Sequence, residues 1–237
     1  MSRVALVTGS ARGIGRAILL ALAEKGFDVA VHYRHSETEA EQTRLEALKL
    51  GVRAIRFAAD VTQVHQAQNL IQAVAEQLGG LQVLVNNVGD YLKKPIDQTT
   101  PEEWHWMLDS NLNAPFYLTQ AALPYLRKTG YGRVVNIGFA GAHNLLARSG
   151  ITPYVIAKTG LIIYSKSLAR QVTGTGVTVN VVSPGVTENS VSKPVDEVPM
   201  GRLARLEELA SAVLFFVDEA NGYITGQIVE VSGGWNL

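Results

Sequence analysis

Short β-rich runs alternate with longer helical patterns along nearly the whole chain, and this alternation constrains the fold more than any single residue does. The runs are Arg3–Thr8, Asp28–Tyr33, Val52–Phe57, Leu81–Asn87, Gly132–Gly138, Val177–Pro184 and Gln227–Gly234. Between them lie helical patterns over Gly13–Lys25, Glu37–Leu50, Gln63–Leu78, a segment opening at Thr100-Pro101, Leu112–Arg127, Thr152–Gln171 and Leu206–Val217. A strand, a helical crossover and a further strand bury their apolar faces best as a parallel sheet with helices on both sides. The strand-like runs are almost continuously apolar, as strands covered on both faces must be. The expectation is an α/β doubly wound parallel sheet of about seven strands. Residues 1–237 form one domain, with a short substrate loop at about 186–200.

Composition narrows the function classes. Lysines plus arginines and aspartates plus glutamates number 21 each, for a net charge of zero. A nucleic-acid binder usually carries a basic excess, so no nucleic-acid partner is expected. The chain has no cysteine, hence no disulfide framework and no thiolate metal site. Its five histidines show no metal-ligand spacing, so no metal is expected. The opening "MSRVALVTGS" runs straight into a strand-like pattern, and no stretch is apolar for long enough to span a bilayer. A cytoplasmic protein with no membrane partner is expected.

In open parallel sheets, ligands bind outside the carboxyl ends of the strands. The residues after each run are therefore the ones to read. After the first comes "TGSARGIG", in which Gly9, Gly13 and Gly15 let a pyrophosphate approach backbone N–H groups at a helix N-terminus. Ser10, Arg12 and Ile14 complete that turn, which suits a Rossmann-type dinucleotide site. After the second run an acidic residue would accept the ribose 2′-hydroxyl of NAD. Arg34 stands there instead, with Arg12 in the glycine turn. The pair either lies solvated on the surface or holds the 2′-phosphate of NADP, and its position favours NADP. After the third run, Asp60 and Val61 either meet the adenine or begin a helix, with Asp60 as its N-cap. The fourth run ends in Asn86, Asn87, Val88 and Gly89. Its adjacent asparagines need partners, and its glycine lets a ligand pass. The sixth ends in Ser183, Pro184 and Gly185, a turn able to present backbone to a nicotinamide.

The segment "YVIAK" puts Tyr154 and Lys158 four residues apart, on one helix face. An ammonium beside a phenol favours the phenolate and makes Tyr154 a usable acid or base. With eight tyrosines in the chain, such a pair also arises by chance, and it gains weight only from its place after the fifth run.

Taken together, "TGSARGIG", "ADVT", "NNVG", the Asn111 of "SNLNAPFYLTQ", "YVIAK", "SPG" and the closing "YITGQIVEVSGG" resemble the short-chain dehydrogenase/reductase family over nearly the whole chain. The chain looks most similar to its NADPH-dependent reductases grouped with the β-ketoacyl-(acyl carrier protein) reductases. The resemblance implies a catalytic set of Tyr154 as acid/base, Lys158 on the nicotinamide ribose and tuning Tyr154, and Asn111 placing a water in the proton relay. It also implies a homodimer or homotetramer built on the helices starting near Leu112 and Thr152. Either that pairing or deep burial alone explains why the Thr152 helix is apolar around much of its girth.

Two departures stand out. The family carries a serine at the end of the fifth strand, where "NIGF" places Gly138 and Phe139. Four polar residues on the following segment are candidates to replace it: His143, Asn144, Ser149 and Thr152. Only "VTENSVSKPVDEV" separates "SPG" from the Pro199–Arg202 motif, so the substrate side is expected to be open. The expected function is NADPH-dependent reduction of a small carbonyl or a conjugated C=O or C=N substrate. The alternative is an NADPH-binding protein with little catalysis, acting as a regulatory partner.

Overall fold

The computed structural model describes residues 2–236. Seven parallel strands form one sheet in the order β3-β2-β1-β4-β5-β6-β7. They are β1 (Val4–Val7), β2 (Asp28–Tyr33), β3 (Ala54–Ala58), β4 (Val83–Asn86), β5 (Gly132–Ile137), β6 (Val177–Pro184) and β7 (Ile228–Val231). The helices are α1 (Gly13–Glu24), α2 (Glu37–Lys49), α3 (Val64–Leu78), α4 (Pro101–Leu108), α5 (Ala114–Lys128), α6 (Thr152–Val172) and α7 (Leu206–Val217). β3 begins two residues later than its apolar pattern suggests. No helix among the described residues is long and apolar enough to cross a membrane.

The strands place alternate residues in two cores. Ala5 and Val7 of β1, with Val83 and Val85 of β4, pack beneath α1, α2 and α7. Val4, Leu6 and Leu84 pack on the opposite face, beneath α3, α5 and α6. This is the period-two alternation of a strand covered on both sides. Burying such side chains contributes roughly 1.5–3 kcal/mol each, so the two cores hold the strand ends in register. Order reverses between β1 and β4, which opens a crevice at their carboxyl ends.

One element has no counterpart in the sequence pattern. Between α4 and α5, residues Asp109–Asn113 form a π turn, so the two helices run on almost without a break. A capping box at Thr100 and Glu103 starts α4. The wider π turn carries Ser110 and Asn111 into the interior, where both are fully buried.

Candidate active site

A cleft of about 470 Å³ runs along the carboxyl ends of β1, β2, β3 and β4. Of the residues expected to bind cofactor, Gly9, Arg12, Gly13, Ile14, Gly15, Arg34, Asp60, Val61, Asn87 and Gly89 line it. The first turn of α1 holds no acidic residue and receives no side-chain cap. Its N–H groups and its positive end are left for an anion. A Cβ on Gly15 would lie 2.5 Å from the carbonyl oxygen of Gly9 and 2.6 Å from the Asn87 amide. Only glycine lets the turn close this tightly.

The turn is fixed from below. The Thr8 hydroxyl accepts from the N–H groups of Asn87 and Val88 at 2.9 and 3.0 Å, and Asn87 Nδ2 donates to the carbonyl of Thr8 at 2.8 Å. His32, buried at the end of β2, accepts the Gly9 N–H on Nδ1 at 2.9 Å, and its Nε2 meets the Ala59 carbonyl at 3.1 Å. Those partners require the neutral ring with its proton on Nε2. Burial pushes the His32 pKa down to about 4, and the Ala59 bond and Asp60 only partly oppose that.

Five residues expected to bind cofactor lie outside this lining: Ser10, Pro184 and Gly185, and Tyr154 and Lys158 at the reaction end. Ser10 is fully buried, and its hydroxyl accepts from His32 N at 3.1 Å, bracing β2 from inside. Pro184 and Gly185 lie outside the cleft lining. The Pro184 carbonyl accepts from Ala140 N, and Gly185 N donates to Val231, both at 3.0 Å. Asp60 does not cap α3, whose N-cap is Gln63. Its Oδ1 accepts from the backbone and hydroxyl of Thr62, and its Oδ2 stands 3.7 Å from Arg34. Burial raises the Asp60 pKa, but the Thr62 bonds and then Arg34 outweigh it and hold the carboxyl below its usual range.

Gly89 joins the cleft to the reaction end. A Cβ there would come within 2.4 Å of Asn111 Oδ1 and 3.2 Å of Lys158 Nζ. The Asn111 amide donates to the carbonyls of Asp90 and Met107 at 2.9 and 3.0 Å, while its buried Oδ1 has no protein partner. Lys158 is 4% exposed and donates to the Ile137 carbonyl at 2.7 Å. Beneath it, Asn86 bridges Thr119 and Asn136, and Asn136 passes the chain on to Ser165. That network takes up the Asn86 amide N–H groups, while its buried Oδ1 has no partner among the described residues.

The Tyr154 ring is packed edge-to-face against Tyr91 at 5.2 Å and Phe139 at 5.3 Å, with Trp235 another 5.7 Å beyond Phe139. The structure separates the two serine places. The side of Gly138 that would carry a Cβ faces Ser183, whereas Phe139 is the residue that meets Tyr154. The Lys158 ammonium, bonded to the Ile137 carbonyl, lies 5.7 Å from the Tyr154 ring centre. Burial pushes the Tyr154 pKa up, with Tyr91 adding to it, although the residue keeps a part-exposed edge. Burial alone lowers the Lys158 pKa to about 8.

None of the four candidate replacements reaches Tyr154. His143 Nδ1 lies 3.1 Å from Glu230, Asn144 donates to the Asn236 carbonyl, and Thr152 donates to the Arg148 carbonyl. Ser149 is exposed. The substrate loop is short, as expected, but it does not stand away from the body. Asn189 of this loop comes against Gly13, and Trp235 donates to Glu197 at 3.3 Å.

The sequence model described as Enoyl-(Acyl carrier protein) reductase matches residues 9–236. The chain belongs to the short-chain dehydrogenase/reductase family. It is 33% identical over 243 residues to the 3-oxoacyl-(acyl-carrier-protein) reductase of Staphylococcus aureus strain Mu50, covering 99% of this chain and 98% of that one. With the Vibrio cholerae protein of the same name it shares 35% identity over 241 residues, covering 98% and 96%. Among solved structures it superposes on acetoin dehydrogenase YohF from Salmonella typhimurium with a TM-score of 0.91 and 32% identity, covering 99% and 96% of the two chains. A dehydrogenase/reductase from Sinorhizobium meliloti 1021 gives 0.94 and 30%, covering 100% and 96%. The protein is thus an oxidoreductase of the short-chain dehydrogenase/reductase type.

Sequence reasoning missed the aromatic and cationic surroundings of this short-chain dehydrogenase/reductase site: Tyr91, Arg148, Trp235 and Asn236. It also passed over His32. These residues come from separate loops and the chain end, and no shared period links them.

Proposed function

We propose that the protein is an NADPH-dependent reductase of small planar conjugated substrates, C=O or C=N. The observation that carries this reading is the edge-to-face packing of Tyr154 against Phe139 and Tyr91, beside the buried Lys158 and Asn111. The glycine-lined cleft leads to this point, and its lining fits a dinucleotide: Gly15 and Gly89 stand where any Cβ would collide. The α1 N-terminus would hold the pyrophosphate, and Arg12 and Arg34 a 2′-phosphate. The Arg34–Asp60 contact, 3.7 Å between half-exposed groups, is worth at most about 1 kcal/mol, so Arg34 remains available to a doubly charged phosphate. A bound nicotinamide cofactor supplies the hydride.

Tyr154 then gives its phenolic proton to the substrate oxygen. The phenol carries its proton at neutral pH, and a nearby cation favours the phenolate left when that proton is given up. Lys158 offsets the negative charge left on Tyr154 and steadies a ribose. The free Oδ1 of Asn111 offers an acceptor through which protons return. Phe139 donates no hydrogen bond to the substrate oxygen, and one such donor is typically worth about 10²–10³ in rate. Conjugated substrates, already polarised and planar, need that donor least and pack best against the rings. NADPH oxidation with phenanthrenequinone tests this reading: catalysis supports it, and no turnover of any conjugated carbonyl refutes it.

A homodimer or homotetramer built on α5 and α6 belongs to this reading. Phe116, Ile156 and Ile163 on those helices are 41, 43 and 63% exposed, which favours a covered face. A light-scattering mass of one chain at micromolar concentration would rule it out.

A further inference from the structure

Arg148 stands at the edge of the aromatic cluster. Its guanidinium lies 5.7 Å above the Trp235 ring. No carboxylate pairs with it among the described residues. It is nevertheless held in place. Asn236 Oδ1 accepts one of its N–H groups, Asn236 Nδ2 donates to the Ala140 carbonyl at 3.2 Å, and the Asn236 carbonyl accepts from Asn144 at 2.7 Å. Asn236 adopts φ +63°, a left-handed conformation that few residues other than glycine take. Two bonds hold Asn236 so that its side chain orients the arginine. Its charge also reaches the other wall of the pocket. Burial raises the Tyr91 pKa, and Arg148 opposes that rise.

A guanidinium holds its donors in one plane, the geometry that receives a carboxylate through two parallel bonds. From Tyr154 through Phe139 and Trp235 to Arg148, each step is 5.3–5.7 Å. Arg148 thus stands at the far end of this row of rings from the proton donor. Glu197 accepts the indole N–H of Trp235. We propose that Arg148 receives a carboxylate on the substrate, so that the preferred substrates are planar conjugated ketones with an anionic group at the end remote from the carbonyl. This inference rests on the reductase reading above.

The test uses para-acetylbenzoate and its neutral isostere para-acetylbenzamide. Calorimetry on the protein saturated with NADP should show the carboxylate bound about 10- to 100-fold more tightly, as a charge-assisted pair gives. The preference should shrink in high salt, fall close to one in Arg148→Met and survive in part in Arg148→Lys. Equal affinity for the two probes, or an undiminished preference in Arg148→Met, overturns the proposal. If Arg148→Met does not fold, the wild-type preference and its salt dependence still decide. Steady-state turnover separates the two ideas. A binding preference without reduction of either probe sinks the reductase reading alone. Reduction of both with equal kcat/KM and equal affinity sinks the carboxylate site alone.

Discussion

At the dinucleotide end, the contacts offered to a ligand come mainly from backbone: the Gly9–Gly15 turn, the first turn of α1 and the Gly89 passage. At the Tyr154 end they come from side chains, four aromatic rings with Arg148 at the rim and Lys158 and Asn111 behind. A backbone cradle is specified by a few glycines and by sheet order, so it tolerates much sequence change around it. A site built of side chains from the loop after β5, the loop before α6, α6 itself, the loop after β4 and the chain end can be rebuilt one residue at a time. The first end sets which cofactor is used, and the second which substrate meets it.

Removing the shared proton donor breaks the second end and spares the first. Tyr154→Phe should lower ketone reduction by about 10²–10⁴-fold, while NADPH affinity measured by fluorescence stays near that of the parent. Equal loss of cofactor binding would mean that the two ends are not separable. Phe139→Ser acts in the opposite direction. A hydroxyl beside Tyr154 should raise turnover of simple aliphatic ketones, up to the roughly 10²–10³ that one donor is worth, and should erode the preference for planar substrates. It should also destabilise the fold, by an amount approaching the 3–5 kcal/mol or so of a Phe truncation. Unchanged aliphatic turnover in a folded variant would show that Phe139 does not stand in for a missing donor.

The cofactor end is probed by smaller effects. Arg34→Asp should weaken NADPH by about 10- to 100-fold and favour NADH, read as the ratio of kcat/KM values. A parent enzyme equally efficient with both cofactors would contradict the assignment. The His32 clamp predicts a pH effect on stability. Its folded pKa of about 4 lies below the unfolded value of 6.5. Its contribution is therefore full above pH 6.5. As pH falls toward 4 the unfolded chain takes up a proton that the folded ring refuses, and stability drops by about 3 kcal/mol over that window. His32→Asn should flatten this slope in a pH series of thermal melts. A parallel slope in the variant would remove His32 as the cause.

The difference between the two ends also explains what the sequence reveals. Strand order and crevice follow from alternation, and the turn glycines lie where a parallel sheet must present them. Gly9, Gly15, Arg34, Asp60 and Gly89 were therefore legible before any coordinates. Ser10 was not, because its inward rotation depends on the His32 backbone. Nor was the π turn that buries Asn111, since apolar spacing reads the same on either side of it. The Tyr154–Lys158 spacing was visible, but not that the Lys158 ammonium would bond to the Ile137 carbonyl. Phe139 stood out as a departure, yet its partner Trp235 lies 96 positions along the chain, and only the folded tail brings them together.

The central claim is that an NADPH-dependent proton donor works inside an aromatic pocket, and its most direct measurement is one comparison. Initial rates of NADPH oxidation should be taken with phenanthrenequinone and with acetoacetyl-coenzyme A, under identical conditions. The account predicts clear turnover of the planar diketone and a kcat/KM for the thioester lower by about the 10²–10³ assigned to one missing donor. Vigorous thioester reduction equal to that of the diketone, unaffected by changes at His143, Asn144, Ser149 and Thr152, would contradict it.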